Sequence, residues 1–96
     1  GYREPLYDQI LDREKGTIKL LIELPGVEKE DIKLEASEER LFLQAERDSK
    51  RYKCSIDFKE AVNPNSAKAN YKNGILEVIF ELKEKTNKGS FPIRVE

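Results

Sequence analysis

The chain has 96 residues, enough for one domain with a modest core that needs neither disulfides nor metal. Charged residues make up 39% of it yet cancel to a formal net charge of −1, which removes the basic face that phosphate contacts require, so no nucleic-acid partner is expected. There is no His, so imidazole-based acid–base, nucleophilic and metal chemistry is excluded.

Cys54 is the single cysteine and cannot form an internal disulfide, which fits a reducing, cytoplasmic setting. Its alternating neighbours Tyr52, Ile56 and Phe58 favour an inert core thiol, since no base is evident beside it. No apolar stretch approaches membrane-spanning length and no basic segment precedes an apolar one, so no membrane partner is expected. With no Met in the chain, Gly1 is expected not to be the natural start, and residues 1–5 read as the remnant of a longer amino-terminal arm.

The dominant period is two. Tyr7 to Asp12 reads as an edge strand and Glu14 to Gly16 as a turn. In TIKLLIEL, Ile18, Leu20, Ile22 and Leu24 share one face against Thr17, Lys19 and Glu23, while Leu21 breaks the polar face. Pro25 and Gly26 stop that strand, one by removing a donor and the other by permitting a turn. VEKED reads as a short solvated turn, and IKLEA as a strand with Ile32, Leu34 and Ala36 together. SEER turns the chain into LFLQAE, with Leu41, Leu43 and Ala45 on one side. RYKCSIDF gives the cleanest alternation, Tyr52, Cys54, Ile56 and Phe58 against Arg51, Lys53, Ser55 and Asp57. NPNSA reads as a loop or a single helical turn around Pro64.

The last hairpin is explicit. Asn73-Gly74 lies between two β-rich runs, and both residues tolerate the positive φ of a type I′ turn. A two-residue loop there pairs Lys72 with Ile75, Tyr71 with Leu76, Ala69 with Val78 and Ala67 with Phe80, so small residues face large ones. No helix of ordinary length is expected. Six or seven short strands with turn signals between them predict a small all-β sandwich over residues 6–82. Residues 83–96 read as a polar, flexible linker followed by the apolar tail Ile93-Arg94-Val95.

Nothing in the sequence concentrates chemistry. Glu28, Glu30 and Asp31 cluster, as do Glu38 and Glu39, but both groups fall in predicted turns where water holds carboxylates near their usual ionisation. They lack calcium-loop spacing, and no nucleotide-binding glycine pattern exists. No enzyme activity, cofactor or metal site is expected.

Three motifs carry a family resemblance. ELPGVEKEDIKLEA (Glu23 to Ala36) resembles the start of the α-crystallin domain of small heat-shock proteins. ANYKNGILEV (Ala69 to Val78) is similar to that family's A-x-x-x-N-G-[VI]-L signature, and PIRVE to its carboxy-terminal I-x-[IV] motif. The resemblance covers roughly Leu6 to Val95, with the motifs in the family's order. It implies an immunoglobulin-like β-sandwich of about seven antiparallel strands, and an ATP-independent holdase that binds partly unfolded client proteins, limits their aggregation and assembles into dimers and larger homo-oligomers. It also implies that Ile93 and Val95 dock in a groove on a neighbouring subunit, lined by Ile32, Leu34, Ala67, Ala69 and Tyr71.

Physical chemistry supports a docking tail independently. Pro92 restricts the tail toward an extended form, and in that form Ile93 and Val95 share a face while Arg94 points away. The alternative is a tail that folds back on its own edge, which the eight-residue linker is long enough to allow. Intermolecular docking is the favoured expectation.

Two features depart from the family. Its amino-terminal arm is absent or reduced to residues 1–5. Many members also carry a long loop, containing a strand exchanged between dimer partners, where this chain has only RDSK. Four residues are of hairpin length and leave no chain for such an exchange. Dimerisation then either uses another edge, with Arg51, Tyr52, Lys53 and Ser55 as the candidate strand by resemblance to animal members, or does not take this form at all. The short connection also suits a second class, the CS-domain co-chaperones, adaptors that bind a folded partner rather than unfolded clients.

Overall fold

The computed structural model describes residues 1–84 and 93–96. Most of the polar linker, together with Phe91 and Pro92, lies outside the described residues. Among the described residues, seven strands form two antiparallel sheets. The strands are β1 (Tyr7–Asp12), β2 (Thr17–Glu23), β3 (Ile32–Ala36), β4 (Arg40–Arg47), β5 (Lys50–Asp57), β6 (Val62–Lys72) and β7 (Ile75–Leu82). One sheet has the order β1-β2-β7-β6 and the other β3-β4-β5. The all-β sandwich expected from the period-two pattern is the observed architecture.

The core follows directly from that period. Successive side chains of a strand point to opposite faces, so every second residue can be buried. Ile18, Leu20 and Ile22 of β2 lie beside Leu76, Val78, Phe80 and Leu82 of β7, all buried. The pairing Ile18–Phe80, Leu20–Val78 and Ile22–Leu76 puts these apolar residues directly opposite one another on a single face. Leu41, Leu43 and Ala45 of β4 and Tyr52 and Ile56 of β5 meet them from the second sheet. Phe58 follows β5 and packs its ring 4.9 Å from that of Phe80 at a 60° tilt, closing one end of the sandwich.

The chain crosses between sheets through Leu24 to Asp31, and two tyrosines hold that crossing. Tyr52 Oη donates to Pro25 O at 2.6 Å. Tyr71 Oη lies 2.7 Å from Leu24 O and 2.9 Å from Val27 O, so its one proton serves both carbonyls. The solvated turn expected from VEKED is one turn of 3₁₀ helix, Lys29–Asp31. Its geometry is fixed locally: Glu28 N–H donates to the Asp31 carboxylate at 2.8 Å, and Asp31 N–H donates to Glu28 O at 2.9 Å.

Two hairpins set the register. β4 and β5 pair from Arg40–Asp57 to Arg47–Lys50, leaving Asp48 and Ser49 as the loop, with Asp48 at φ 53°. RDSK is therefore a tight turn. The β6–β7 loop is Asn73-Gly74, at φ 52° and 77°, with Lys72–Ile75, Tyr71–Leu76 and Ala69–Val78 paired as the sequence predicts.

The NPNSA expectation needs correction, because these residues lie within β6 rather than in a loop or helical turn. The β6–β7 register shifts between Asn63 and Lys68, so the expected Ala67–Phe80 pair is not part of the ladder. Ser66 spans the irregularity, its hydroxyl donating to Asn63 O at 2.6 Å and accepting from Glu81 N–H at 2.8 Å. One side chain thus replaces the backbone bonds that a bulge removes. Pro64 is tolerated because β6 is an edge strand.

Gly74 offers a direct test of this register. A β-carbon there would meet Pro25 only at 3.6 Å, an ordinary contact, so the cost of Gly74→Ala is the positive φ itself. Urea unfolding should show a loss of about 1–2 kcal/mol at an unchanged m-value. No loss would mean that the turn relaxes into another form.

Candidate functional site

The groove expected between the third strand and the sixth is present as two adjoining hollows along one long side of the sandwich. One, of 340 Å³, is lined by Lys29, Ile32, Leu34, Ala69, Tyr71 and Leu76 among others. The other, of 250 Å³, is bordered by Leu34, Ala36, Pro64, Ala67, Ala69 and Phe80 among others. Leu34 and Ala69 belong to both, so the hollows are continuous. Ile32, Leu34, Ala67, Ala69 and Tyr71 all border these hollows, Ile32 and Leu34 from β3 and the other three from β6.

The groove exists because its edge residues are small. Val78 and Phe80 on β7 are buried, but the edge strand outside them presents Ala67 and Ala69. Alanine cannot reach across to β3, so the two sheets part there and leave Leu34 and Ile32 only partly covered. At one end, Tyr71 is pinned through its hydroxyl to the crossing. Burial pushes that hydroxyl's ionisation up, and the charges of Glu28 and Asp31 add to the effect, so it stays a neutral donor.

An ion pair braces the same end. Arg47 Nε and Nη2 both donate to the Asp31 carboxylate, tying the β4–β5 hairpin to the 3₁₀ turn. The Arg47 hydrogen bond holds the Asp31 carboxyl below its ordinary value, helped by the Glu28 N–H. The sequence placed Asp31 in a cluster with water as its only partner. The actual partner is a residue sixteen positions away, which no local pattern reveals. Glu38, from the other cluster, meets Lys83 Nζ at 2.9 Å.

Other expected features have distinct positions. Ile93 and Val95 are 88% and 92% exposed, so both tail side chains stand in water. Arg51, Tyr52, Lys53 and Ser55 lie on β5, an outer strand of the three-stranded sheet. Cys54 is half-buried between them, and burial raises its thiol above the ordinary value, with the Glu4 charge adding to it, so the thiolate is disfavoured. Among the described residues no group of carboxylates and thiols is arranged to hold a metal ion. No helix among them is long and apolar enough to cross a membrane.

Two packed antiparallel sheets, one of four strands and one of three, define a β-sandwich with an open apolar side. Residues 10–96 match the Hsp20/alpha crystallin family, and the chain belongs to that family. Among solved structures it is similar to heat shock protein 16.0 from Schizosaccharomyces pombe. The TM-score is 0.74 at 21% identity, over 98% of this chain and 99% of that one. HSP18.5 from E. histolytica aligns with a TM-score of 0.74 at 16% identity, covering 97% and 99% of the two chains. A small heat-shock protein from Xylella fastidiosa gives 0.72 at 14% identity, covering 100% and 97%. A search of curated proteins finds no match. The family points to a chaperone, and the CS-domain alternative finds no support in these comparisons.

The Asp31–Arg47 bond has a pH signature. A carboxyl whose folded pKa is depressed adds stability above its unfolded pKa, and that stability is lost as pH falls through the folded value. The wild-type chain should therefore lose stability on acidification from about pH 4 downward, and Asp31→Asn should lose measurably less over the same range. Both groups are solvent-accessible, so the difference should be small and should shrink in high salt. Identical pH profiles in denaturant titrations would show that the pair contributes nothing.

Proposed function

We propose that this chain is an ATP-independent holdase module that binds partly unfolded proteins and limits their aggregation. It assembles by docking its Ile93-Arg94-Val95 tail into the β3–β6 groove of a neighbouring copy. Residues 6–82 serve as the domain and 83–96 as linker and tail, acting in a reducing cytoplasmic compartment without catalysis.

The observation that carries this reading is a match of repeats. The first hollow is flanked by Ile32 and Leu34 on β3 and by Tyr71 and Ala69 on β6; the second by Leu34 and Ala36, and by Ala69 and Ala67. Each strand advances by two residues from one hollow to the next. Ile93 and Val95 are also two residues apart, and an extended tail would space their side chains by roughly 6.8 Å on the same face. Two apolar knobs thus have the spacing of two apolar hollows, with both knobs in water when undocked.

The energetics suit a reversible latch. Burying two such side chains is worth on the order of 3–5 kcal/mol before the cost of ordering the tail. A single latch is weak, but several around an oligomer act together and still open one at a time. An opened groove offers its apolar lining to extended segments of an unfolded client, which dock by the same alternation of side chains. Self-assembly of this kind also accords with the Xylella fastidiosa relative, which is described as having a distinct high order structure.

Ile93→Gly with Val95→Gly should reduce any large assembly to a dimer or monomer by light scattering, with far-UV circular dichroism unchanged. Ala69 borders both hollows, so Ala69→Leu should fill them and weaken binding of a PIRVE peptide at least tenfold. Unaltered size in the first case and unaltered affinity in the second would rule out tail docking. The protein should also suppress heat aggregation of an unrelated enzyme without ATP. Full aggregation at equimolar chaperone would remove the holdase reading.

A further inference from the structure

The two long sides of the sandwich end differently. The β3–β6 side is open, whereas the β1–β5 side is stitched by the chain itself. Gln9 Nε2 donates to Asp57 O at 3.1 Å, Gln9 Oε1 accepts from Lys59 N–H at 2.8 Å, and Lys59 Nζ donates to Gln9 O at 3.1 Å. Further along β5, the segment before β1 lies on the strand's outer edge. Arg3 N–H donates to Arg51 O and Lys53 N–H donates to Arg3 O, both at 3.0 Å, forming a one-residue parallel bridge opposite Tyr52. The Tyr2 ring sits 4.4 Å from the Arg51 guanidinium and 5.5 Å from the Lys53 ammonium. Its hydroxyl donates to Glu46 and accepts from Gln44, each at 3.2 Å.

We infer that Tyr2-Arg3 is a releasable cover over the β5 edge, and that it competes with the β5 strand of a second copy of this chain. The cover uses Arg51 O and Lys53 N–H, two of the outward backbone groups through which a second strand would pair. Intramolecular and intermolecular pairing at this edge are therefore mutually exclusive.

Two features make the cover easy to lift. It bridges at a single residue, and a hollow of 280 Å³ remains between it and Tyr52 and Pro25. Arg51 Nε is also shut from solvent without a hydrogen bond; Glu46 Oε1 is 3.3 Å away, within ion-pair reach but poorly aligned. Leaving a buried donor unmade opposes closure. Pro5, which is buried, and the Glu23 N–H bond to Leu6 O at 2.9 Å anchor the segment behind the cover, so it can swing without unravelling β1.

Charge selects the second copy as the competitor. Antiparallel pairing of β5 with itself about Cys54 sets Arg51 opposite Asp57 twice, Tyr52 opposite Ile56 and Lys53 opposite Ser55. Shifting by two residues toward the amino end sets Lys53 against Lys53, which is repulsive. Asp57 also meets Arg40 at 3.2 Å, but its side chain is 77% exposed and within reach of a partner strand.

This inference rests on the β5 edge expected for dimerisation and not on tail docking, so it is tested in a chain whose tail is silenced by Ile93→Gly and Val95→Gly. Tyr2→Ala with Arg3→Pro removes the ring and the bridging N–H. Sedimentation should then show a dimer at concentrations where the covered chain is a monomer, with association at least tenfold tighter. Copper–phenanthroline oxidation should link Cys54 to Cys54 in that dimer, and adding Ser55→Pro should return it to monomer. An unchanged mass with a native far-UV spectrum would overturn the inference, as would a dimer that survives Ser55→Pro or resists the Cys54 link. In the chain with Tyr2 and Arg3 intact, the Arg3 and Lys53 amides should be protected from hydrogen exchange; free exchange at both would overturn it whatever the variants do.

Discussion

The pairing of β2 with β7 carries the molecule. Seven consecutive residue pairs, Thr17–Glu81 to Glu23–Ile75, bring three buried side chains of one strand beside three of the other. A slip of one residue would turn all of them to the opposite face, so the register is fixed by burial as much as by hydrogen bonding. These two strands are also the central pair of their sheet, with β1 and β6 outside them. Every other element packs against this pair or pairs with it. Its side-chain size sets what the flanking strands can do: where Val78 and Phe80 already fill the interior, the neighbouring edge strand can end in alanines without collapse. The groove is thus a consequence of a core that is complete one strand short of the edge.

That arrangement separates stability from binding. An apolar groove in a small domain invites collapse, since the two sheets gain burial by closing over it. Collapse is resisted at one end by the Tyr71 hydroxyl, held by the Leu24 and Val27 carbonyls, and by the Arg47–Asp31 bond that fixes the 3₁₀ turn. At the other end Ser66 holds the bulge of β6 open to a defined shape. Polar bonds keep the walls apart, while apolar side chains line the floor. The apolar lining is thus distinct from the bonds that hold the fold.

Most of this was legible in the sequence because it rests on local periodicity. Alternation in TIKLLIEL and RYKCSIDF located β2 and β5, and Asn73-Gly74 fixed the last hairpin to the residue. The groove between β3 and β6 was suggested by the family resemblance and by no local pattern. What escaped depends on contacts distant in sequence. NPNSA carries every mark of a loop, yet a side-chain hydroxyl from Ser66 to Glu81 keeps it in the sheet. Asp31 looked like one carboxylate in a solvated cluster, because its partner Arg47 comes from another strand. The bridge from Arg3 to Tyr52 left no trace in the first five residues, because it requires β5 to be in place before it has any meaning. Side chains that act across the sandwich leave no periodic trace.

The two unlike sides of the sandwich also explain how a hairpin as short as Arg47 to Lys50 is accommodated. With only Asp48 and Ser49 in the loop, no chain is available at this connection to cover a neighbour's edge. Any edge that the fold leaves bare must then be protected from indiscriminate strand pairing by other means. On the β1–β5 side that protection comes from within: Gln9 on β1 donates to Asp57 O at the end of β5 and exchanges two further hydrogen bonds with Lys59, and Arg3 bridges to β5 opposite Tyr52. On the β3–β6 side it comes from shape, because Pro64 and the bulge break the row of donors that a second strand would need. The side left open is one where backbone pairing is interrupted and side-chain hollows are intact. Such an edge presents spaced apolar side chains in place of a continuous row of backbone donors and acceptors, which sets it apart from an aggregation-prone strand.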